Sequence, residues 1–180
     1  MSRRCEFSPC RKWRYTLWRE WPDLFSGVTG DRFSGFPGDR YLMVIGLNPS
    51  TADEVQDDPT IRRCIDFAKR WKFQALAMTN LFAWRDTDPA KMKAAVEPVG
   101  ARNDEWLWRT AQGAGTILAA WGAHGSHLDR AGHVLRTLAA ARNPKVHCLG
   151  TNADGSPKHP LYVASKTVPV IFYPTHSSPS

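Results

Sequence analysis

Four short apolar runs, each giving way to Gly or Asn, punctuate the chain between residues 41 and 150. The first is YLMVIGLNPST at 41–51, which breaks abruptly at Gly46, Asn48 and Pro49. A run of this length ending in that way predicts a buried parallel strand that delivers a polar loop at its carboxyl end. The second, FQALAMTNLFAW at 73–84, stays apolar until Asn80 near its end and then turns polar at RDTDP. TILAAWG at 116–122 and KVHCLG at 145–150 are the third and fourth, and the last opens into the loop TNADGSPKHPLY. Between the runs the spacing becomes helical. Ile61, Cys64, Ile65 and Ala68 share one face of a helix from Ile61 to Trp71, with Pro59 and Thr60 at its start. Residues 101–113 read as helix, as do Arg130–Ala141 with Val134, Leu135 and Leu138 on the inner face.

Strand and helix thus alternate, which predicts an α/β protein: a three-layer α/β/α fold around a mainly parallel, four-stranded central sheet. Sheets of this kind bind ligands at the carboxyl ends of their strands. Asn48 falls at such a place, and the late loop SPKHPLY at 156–162 offers His159 as its partner. Outside the alternation, residues 5–21 interleave Arg11, Lys12, Trp13, Arg14, Tyr15, Trp18, Arg19 and Trp21. That run fits equally an edge strand packing its aromatics inward and a basic segment lying on DNA. Gly27, Gly30, Gly35, Pro37 and Gly38 make 26–39 a loop, and the Ser- and Pro-rich tail after Phe172 is expected to fray.

With 180 residues, 42% of them hydrophobic, the chain is large enough for one domain with its own core, expected at about 14–173. No apolar segment approaches the ~20 residues that cross a bilayer, and MSRRCEFSPCRKWR lacks the apolar stretch of a signal peptide. The expectation is a cytoplasmic monomer without membrane association. Lys and Arg outnumber Asp and Glu 24 to 17, a net +7 that points to a polyanionic partner, and eight tryptophans add faces on which bases stack. Cys5, Cys10, Cys64 and Cys148 follow no zinc spacing; Cys5 and Cys10 suit half a metal site at most, and free thiols with no metal and no cofactor are expected.

The strand-end signals GLNPS, TNLFAW and SPKHPLY, in this order and spacing, resemble the uracil-DNA glycosylase superfamily from about Tyr41 to Tyr162. The text RY.L.R.W, NPSTAD, DDPTIRRC, NLFAWR.TDP, AAWG.HG and HPLY also resembles a bacterial and phage family of unknown function, here read as a divergent branch of that superfamily. The resemblance implies double-stranded DNA as partner and hydrolysis of a base–sugar bond with the nucleotide flipped out of the stack. Such a reaction needs a water held below the sugar and hydrogen bonds to the departing base. By resemblance, Asn48 orients the water, His159 donates to the base oxygen, and Asn80 reads the pyrimidine edge through an amide able to donate and accept. Gly46, Leu47, Pro49, Ser50, Thr51 and Phe82 would form the base pocket, Leu161 or Tyr162 the wedge, and Ser156 and Lys158 the phosphate contacts.

An amide cannot take a proton as a carboxylate does, so slow turnover is expected. Uracil-specific members carry a tyrosine after the first-motif proline, whereas Ser50 and Thr51 stand here. The smaller residues leave room at the pyrimidine 5-position for thymine, hydroxymethylated or glycosylated bases. No aromatic occupies the usual stacking position; Phe67, Phe82 and Trp84 are candidates to replace it. Asp53, Glu54, Asp57 and Asp58 read as a solvated acidic loop or, in a nuclease, a Mg²⁺ site, with Asp57 or Asp58 also able to support the water or read a sugar hydroxyl. No lysine is assigned to the reacting atoms, so no lyase step is expected. The expectation is a monofunctional DNA glycosylase acting on a 5-modified pyrimidine, or on mismatched thymine or uracil, in repair or phage defence. The alternatives are a hydrolase of free modified nucleotides, a non-catalytic module that recognises flipped bases, and a metal nuclease.

Overall fold

The computed structural model describes residues 1–21, 41–141 and 145–172; the loop expected at 26–39 and the tail beyond Phe172 lie outside them. The described chain runs β1 (Ser2–Phe7), β2 (Arg14–Glu20), β3 (Tyr41–Gly46), α1 (Pro59–Arg70), β4 (Ala75–Asn80), α2 (Pro89–Ala94), α3 (Asn103–Gln112), β5 (Thr116–Ala119), α4 (Arg130–Leu138), β6 (Val146–Cys148) and β7 (Val170–Ile171). Short 3₁₀ segments at Gly122–Asp129 and Pro160–Tyr162 complete it.

The strands form one seven-stranded sheet in the order β1-β2-β4-β3-β5-β6-β7. β3 pairs in parallel with β4 on one side and β5 on the other, and β5 pairs in parallel with β6. The pairings of β1 with β2, β2 with β4, and β6 with β7 are antiparallel. The sheet is therefore mixed, with seven strands where the apolar runs predict four. Nothing in SRRCEF alternates in a way that announces β1, and β7 is two residues long.

β3 and β4 are buried at every residue, which explains their unbroken apolar character. Successive side chains of a strand point to opposite faces. Leu42, Val44, Leu76 and Met78 accordingly pack against Ile61, Cys64, Ile65, Phe67 and Ala68 of α1. Met43, Ile45 and Ala77 pack on the other face with Leu107 and Ala111 of α3 and Val134 and Leu138 of α4. Each large apolar side chain so buried contributes about 1.5–3 kcal/mol.

α1 starts where the chemistry of its first turn allows. Asp58 is the N-cap, its Oδ1 accepting from the Ile61 N–H at 2.8 Å, and Pro59 follows in the first turn, where its missing N–H costs nothing. α2 begins the same way, with Asp88 accepting from the Ala90 N–H at 2.8 Å ahead of Pro89.

Within the aromatic-basic run of residues 5–21, RYTLWREW packs aromatics inward as expected but is not an edge strand, and Arg11 and Lys12 remain exposed. β2 lies between β1 and β4, and Arg14, Arg19 and Trp18 are buried. The charge of Arg19 is met by Asp57 at 2.7 Å, and Arg19 also donates to the carbonyl oxygens of Asp53 and Trp18. Arg3 adds a second ion pair to Asp57 at 3.1 Å, Arg11 pairs with Glu54 at 2.9 Å, and Arg14 donates to the Ala52 carbonyl. Four arginines of the N-terminal hairpin thus fasten the loop at 52–57. Of the acidic loop, the Asp57 side chain is mostly covered in its ion pairs while that of Glu54 stays exposed and Asp53 caps the backbone N–H groups of Val55 and Gln56; no group of three or more metal-ligating side chains occurs among the described residues. All four cysteines carry free thiols. No helix among the described residues is long and apolar enough to cross a membrane.

Candidate functional site

At the carboxyl ends of β3, β4 and β5 the chain leaves the sheet in three loops, and with the 150–162 loop these enclose a cavity of about 630 Å³. Gly46, Leu47, Asn48, Ser50, Asp58, Asn80, His159 and Tyr162 all line it. Residues from opposite ends of the chain therefore meet in one space, as expected for Asn48 and His159.

The loops are fixed to one another by backbone bonds. The Leu81 and Phe82 N–H groups donate to the Gly46 and Leu47 carbonyls at 2.9 Å, and the Asp86 N–H donates to the Pro49 carbonyl at 2.9 Å. Asn48 answers this last bond: its Nδ2 donates to the Asp86 carbonyl at 2.7 Å, with the Pro49 and Trp84 carbonyls at 3.3 and 3.4 Å. An amide end ringed by carbonyl oxygens has to be the nitrogen. Oδ1 is thereby left at the other end, an acceptor for which no described residue supplies a donor.

His159 is ordered from its other side. Its Nδ1 accepts the Leu161 N–H at 3.3 Å, which places the proton of the neutral ring on Nε2. Burial lowers the imidazole pKa below its ordinary 6.5, against the opposing pull of the Asp58 carboxylate. The ring is thus a neutral donor at pH 7. Arg63 of α1 donates to the Val163 carbonyl and helps hold this loop against the helix.

Asn80 is 1% exposed, and neither its Nδ2 nor its Oδ1 has a partner. A buried amide left unsatisfied at both ends costs about 1–3 kcal/mol per group. In a side chain lining a cavity, that deficit is one a ligand with a donor and an acceptor side by side would remove. Gly46, in register with Asn80 on the neighbouring strand, is small for this reason. A Cβ there would lie 2.8 Å from Asn80 Oδ1 and 2.7 Å from Met78 Cε.

Ser50 donates its hydroxyl to Asp58 Oδ2, while Oδ1 of the same carboxylate caps α1. Arg14 also lines the cavity; it is 1% exposed, and among the described residues it pairs with no carboxylate and its Nε has no partner. Burial lowers its pKa to about 10, which leaves it charged at neutral pH.

Other expected site residues sit elsewhere. Phe82 is wholly buried, its ring centroid 5.6 Å from that of His127, and belongs to the core rather than to the base pocket. Phe67 stacks on Trp71 and Trp84 meets Trp13 edge-on, so neither lines the cavity; its aromatic walls are Trp121 and Tyr162. Pro49 and Thr51 lie behind the lining, Pro49 buried and tied to Asp86, Thr51 exposed. Asp57 is held by Arg19 and Arg3. Ser156 closes its own loop, donating to Asp154 Oδ1 at 2.6 Å and accepting from Asn152 Nδ2 at 2.9 Å, and Lys158 is half-buried beside it. Leu161 and Tyr162 project at the rim, 43% and 83% exposed.

The cavity is also lined by Arg14, Thr60, Asp86, Thr87, Trp121, His124 and Asn152, which sequence reasoning did not place in the pocket. The signals were present, since Arg14 opens RYTLWREW, Thr60 belongs to DDPTIRRC, Asp86 and Thr87 to NLFAWRDTDP, Trp121 and His124 to AAWGAHG, and Asn152 to the loop TNADGSPKHPLY.

Residues 14–161 match a protein family described as "Protein of unknown function (DUF1643)". No curated protein matches the chain, and no solved structure does.

Proposed function

The chain belongs to this family of unknown function, DUF1643, and we propose that it is a monofunctional DNA glycosylase of the uracil-DNA glycosylase superfamily acting on a 5-modified pyrimidine. On this reading the parallel strands β4-β3-β5-β6 are the superfamily's central sheet, with β1, β2 and β7 as additions. The observation that carries it is the convergence of three polar groups on one cavity: an acceptor at Asn48 Oδ1, a neutral donor at His159 Nε2, and the unpartnered amide of Asn80.

Asn48 Oδ1 accepts a hydrogen bond from the attacking water and aims its oxygen at the sugar C1′. The bond from C1′ to the base breaks with its electrons going to the base, the water oxygen bonds to C1′, and the released proton passes to solvent or the departing base. His159 Nε2–H donates to the base oxygen as negative charge gathers there, a stabilisation of about 10²–10³-fold per donor. Asn80 pairs with the pyrimidine edge and so recovers its missing hydrogen bonds. Exposed Leu161 and Tyr162 enter the duplex where the nucleotide leaves, and Trp121 or Tyr162 supplies the face on which the base stacks.

The test is incubation of the pure protein with duplexes carrying unmodified bases, uracil, mismatched thymine or glucosylated hydroxymethylcytosine, followed by alkali. Strand breaks at the modified position are expected. Their absence on every substrate, under conditions where the duplex is bound, rejects the reading.

A further inference from the structure

Arg14, Ser50 and Asp58 lie together in the cavity. Ser50 is bonded to Asp58, the Asp58 carboxylate attracts the Arg14 guanidinium, and Arg14 is anchored to the Ala52 carbonyl two residues beyond Ser50. This group is unlike the rest of the basic hairpin. Arg3, Arg11 and Arg19 each meet a carboxylate in an ion pair, whereas Arg14, 99% removed from solvent, has none among the described residues and keeps an unpartnered Nε. A buried guanidinium with donors to spare on the wall of a cavity is costly unless something enters to accept from it.

We propose that this corner of the cavity is a compartment for a hydroxyl-bearing substituent on the base, read by donation from Arg14 and by the Ser50–Asp58 pair. The proposal rests on the glycosylase reading for the position of the pyrimidine ring and names the class of base it acts on. An anionic substituent is disfavoured, because among the described residues the cavity is lined by two carboxylates, Asp58 and Asp86, against the one guanidinium of Arg14. An apolar substituent such as a methyl group would leave the Arg14 Nε without an acceptor. A hydroxyl both donates and accepts: it donates a hydrogen bond to Asp58 or the Ser50 oxygen and accepts one from Arg14. A volume of about 630 Å³ lies within the ~300–1,000 Å³ typical of sites for drug-sized ligands and so accommodates a pyrimidine carrying a sugar.

The experiment uses three duplexes identical except at one cytosine, which is 5-methylated, 5-hydroxymethylated, or glucosylated on the hydroxymethyl group. Base release and equilibrium binding are both measured for the wild type, Ser50→Ala and Arg14→Met. The wild type is expected to favour the glucosylated over the methylated duplex by at least about tenfold, since a site built to hydrogen-bond a substrate group rejects the analogue lacking it. Ser50→Ala should lower that ratio at least about fivefold, and it carries the test if Arg14→Met does not fold. Release or binding of the methylated base as good as that of the glucosylated one overturns the compartment while leaving the glycosylase reading intact. A binding preference that Ser50→Ala abolishes, without base release from any duplex, upholds the compartment and rejects the glycosylase. Neither release nor preference rejects both.

Discussion

Asn48, His159 and Asn80 differ in how the fold prepares them, and the consequences of changing them differ accordingly. Asn48 is oriented by the Asp86 carbonyl, so Asn48→Asp would place a carboxylate oxygen against that carbonyl, and Asn48→Ala removes the acceptor that the proposed reaction assigns to the water. Asn48→Ala is expected to slow single-turnover base release by about 10²-fold with little change in duplex affinity, the pattern of an interaction made in the transition state. His159 carries a pH signature. Its folded pKa lies below 6.5, so in the window between the two values the unfolded chain binds more protons, and stability should fall as pH drops below 6.5. Base release should be flat from pH 7 to 8.5, where the ring is already neutral, and should change only in the acid range; a pH–rate profile breaking above 7 would contradict the assignment. Gly46→Ala forces the Asn80 amide or Met78 to move, and its expected effect is weaker binding of the flipped base with the fold retained. Arg14 was the residue least visible beforehand. In RYTLWREW it looks like any surface cation, and only the carbonyl of Ala52 and the enclosing loops give it a buried place.

At the level of elements, the site stands on loops that are fastened from outside by the β1–β2 hairpin. Arg19 is fully buried and depends on Asp57 for its countercharge. Asp57→Ala should therefore destabilise the protein by about 3 kcal/mol, the usual result of stranding a buried charge, and thermal unfolding will show it. Asp58→Ala loses an N-cap and should cost about 1 kcal/mol in the same measurement. Strands β3 and β4 were legible because both faces of the sheet are covered, which makes their sequences continuously apolar. β1 was not, since a strand on the rim need not bury either face fully and SRRCEF carries three charged residues among its six. The six-residue α2 escaped notice because so short a helix has little periodicity to show; only Asp88-Pro89 marks its start.

For the whole molecule, the net +7 is the feature that bears on the proposed polyanionic partner, although part of the arginine content is used on the loop at 52–57. Duplex binding should weaken steeply as salt is raised, in the manner of counterion release. Convergence of distant segments on one cavity follows from the parallel order of β4, β3, β5 and β6, which brings their carboxyl ends to the same edge. The order of polar strand ends in the sequence anticipated that edge, whereas the contents of its walls, Trp121 and Arg14 above all, depended on how the loops close.

The most direct measurement is detection by mass spectrometry of the free base released from a duplex with one glucosylated hydroxymethylcytosine, for the wild type and for Asn48→Ala and His159→Ala. Release by the wild type of one intact modified base per abasic site formed, reduced about a hundredfold or more in both variants, is the predicted result. Failure of the wild type to release any base from a duplex it binds, or release undiminished in both variants, would contradict the account.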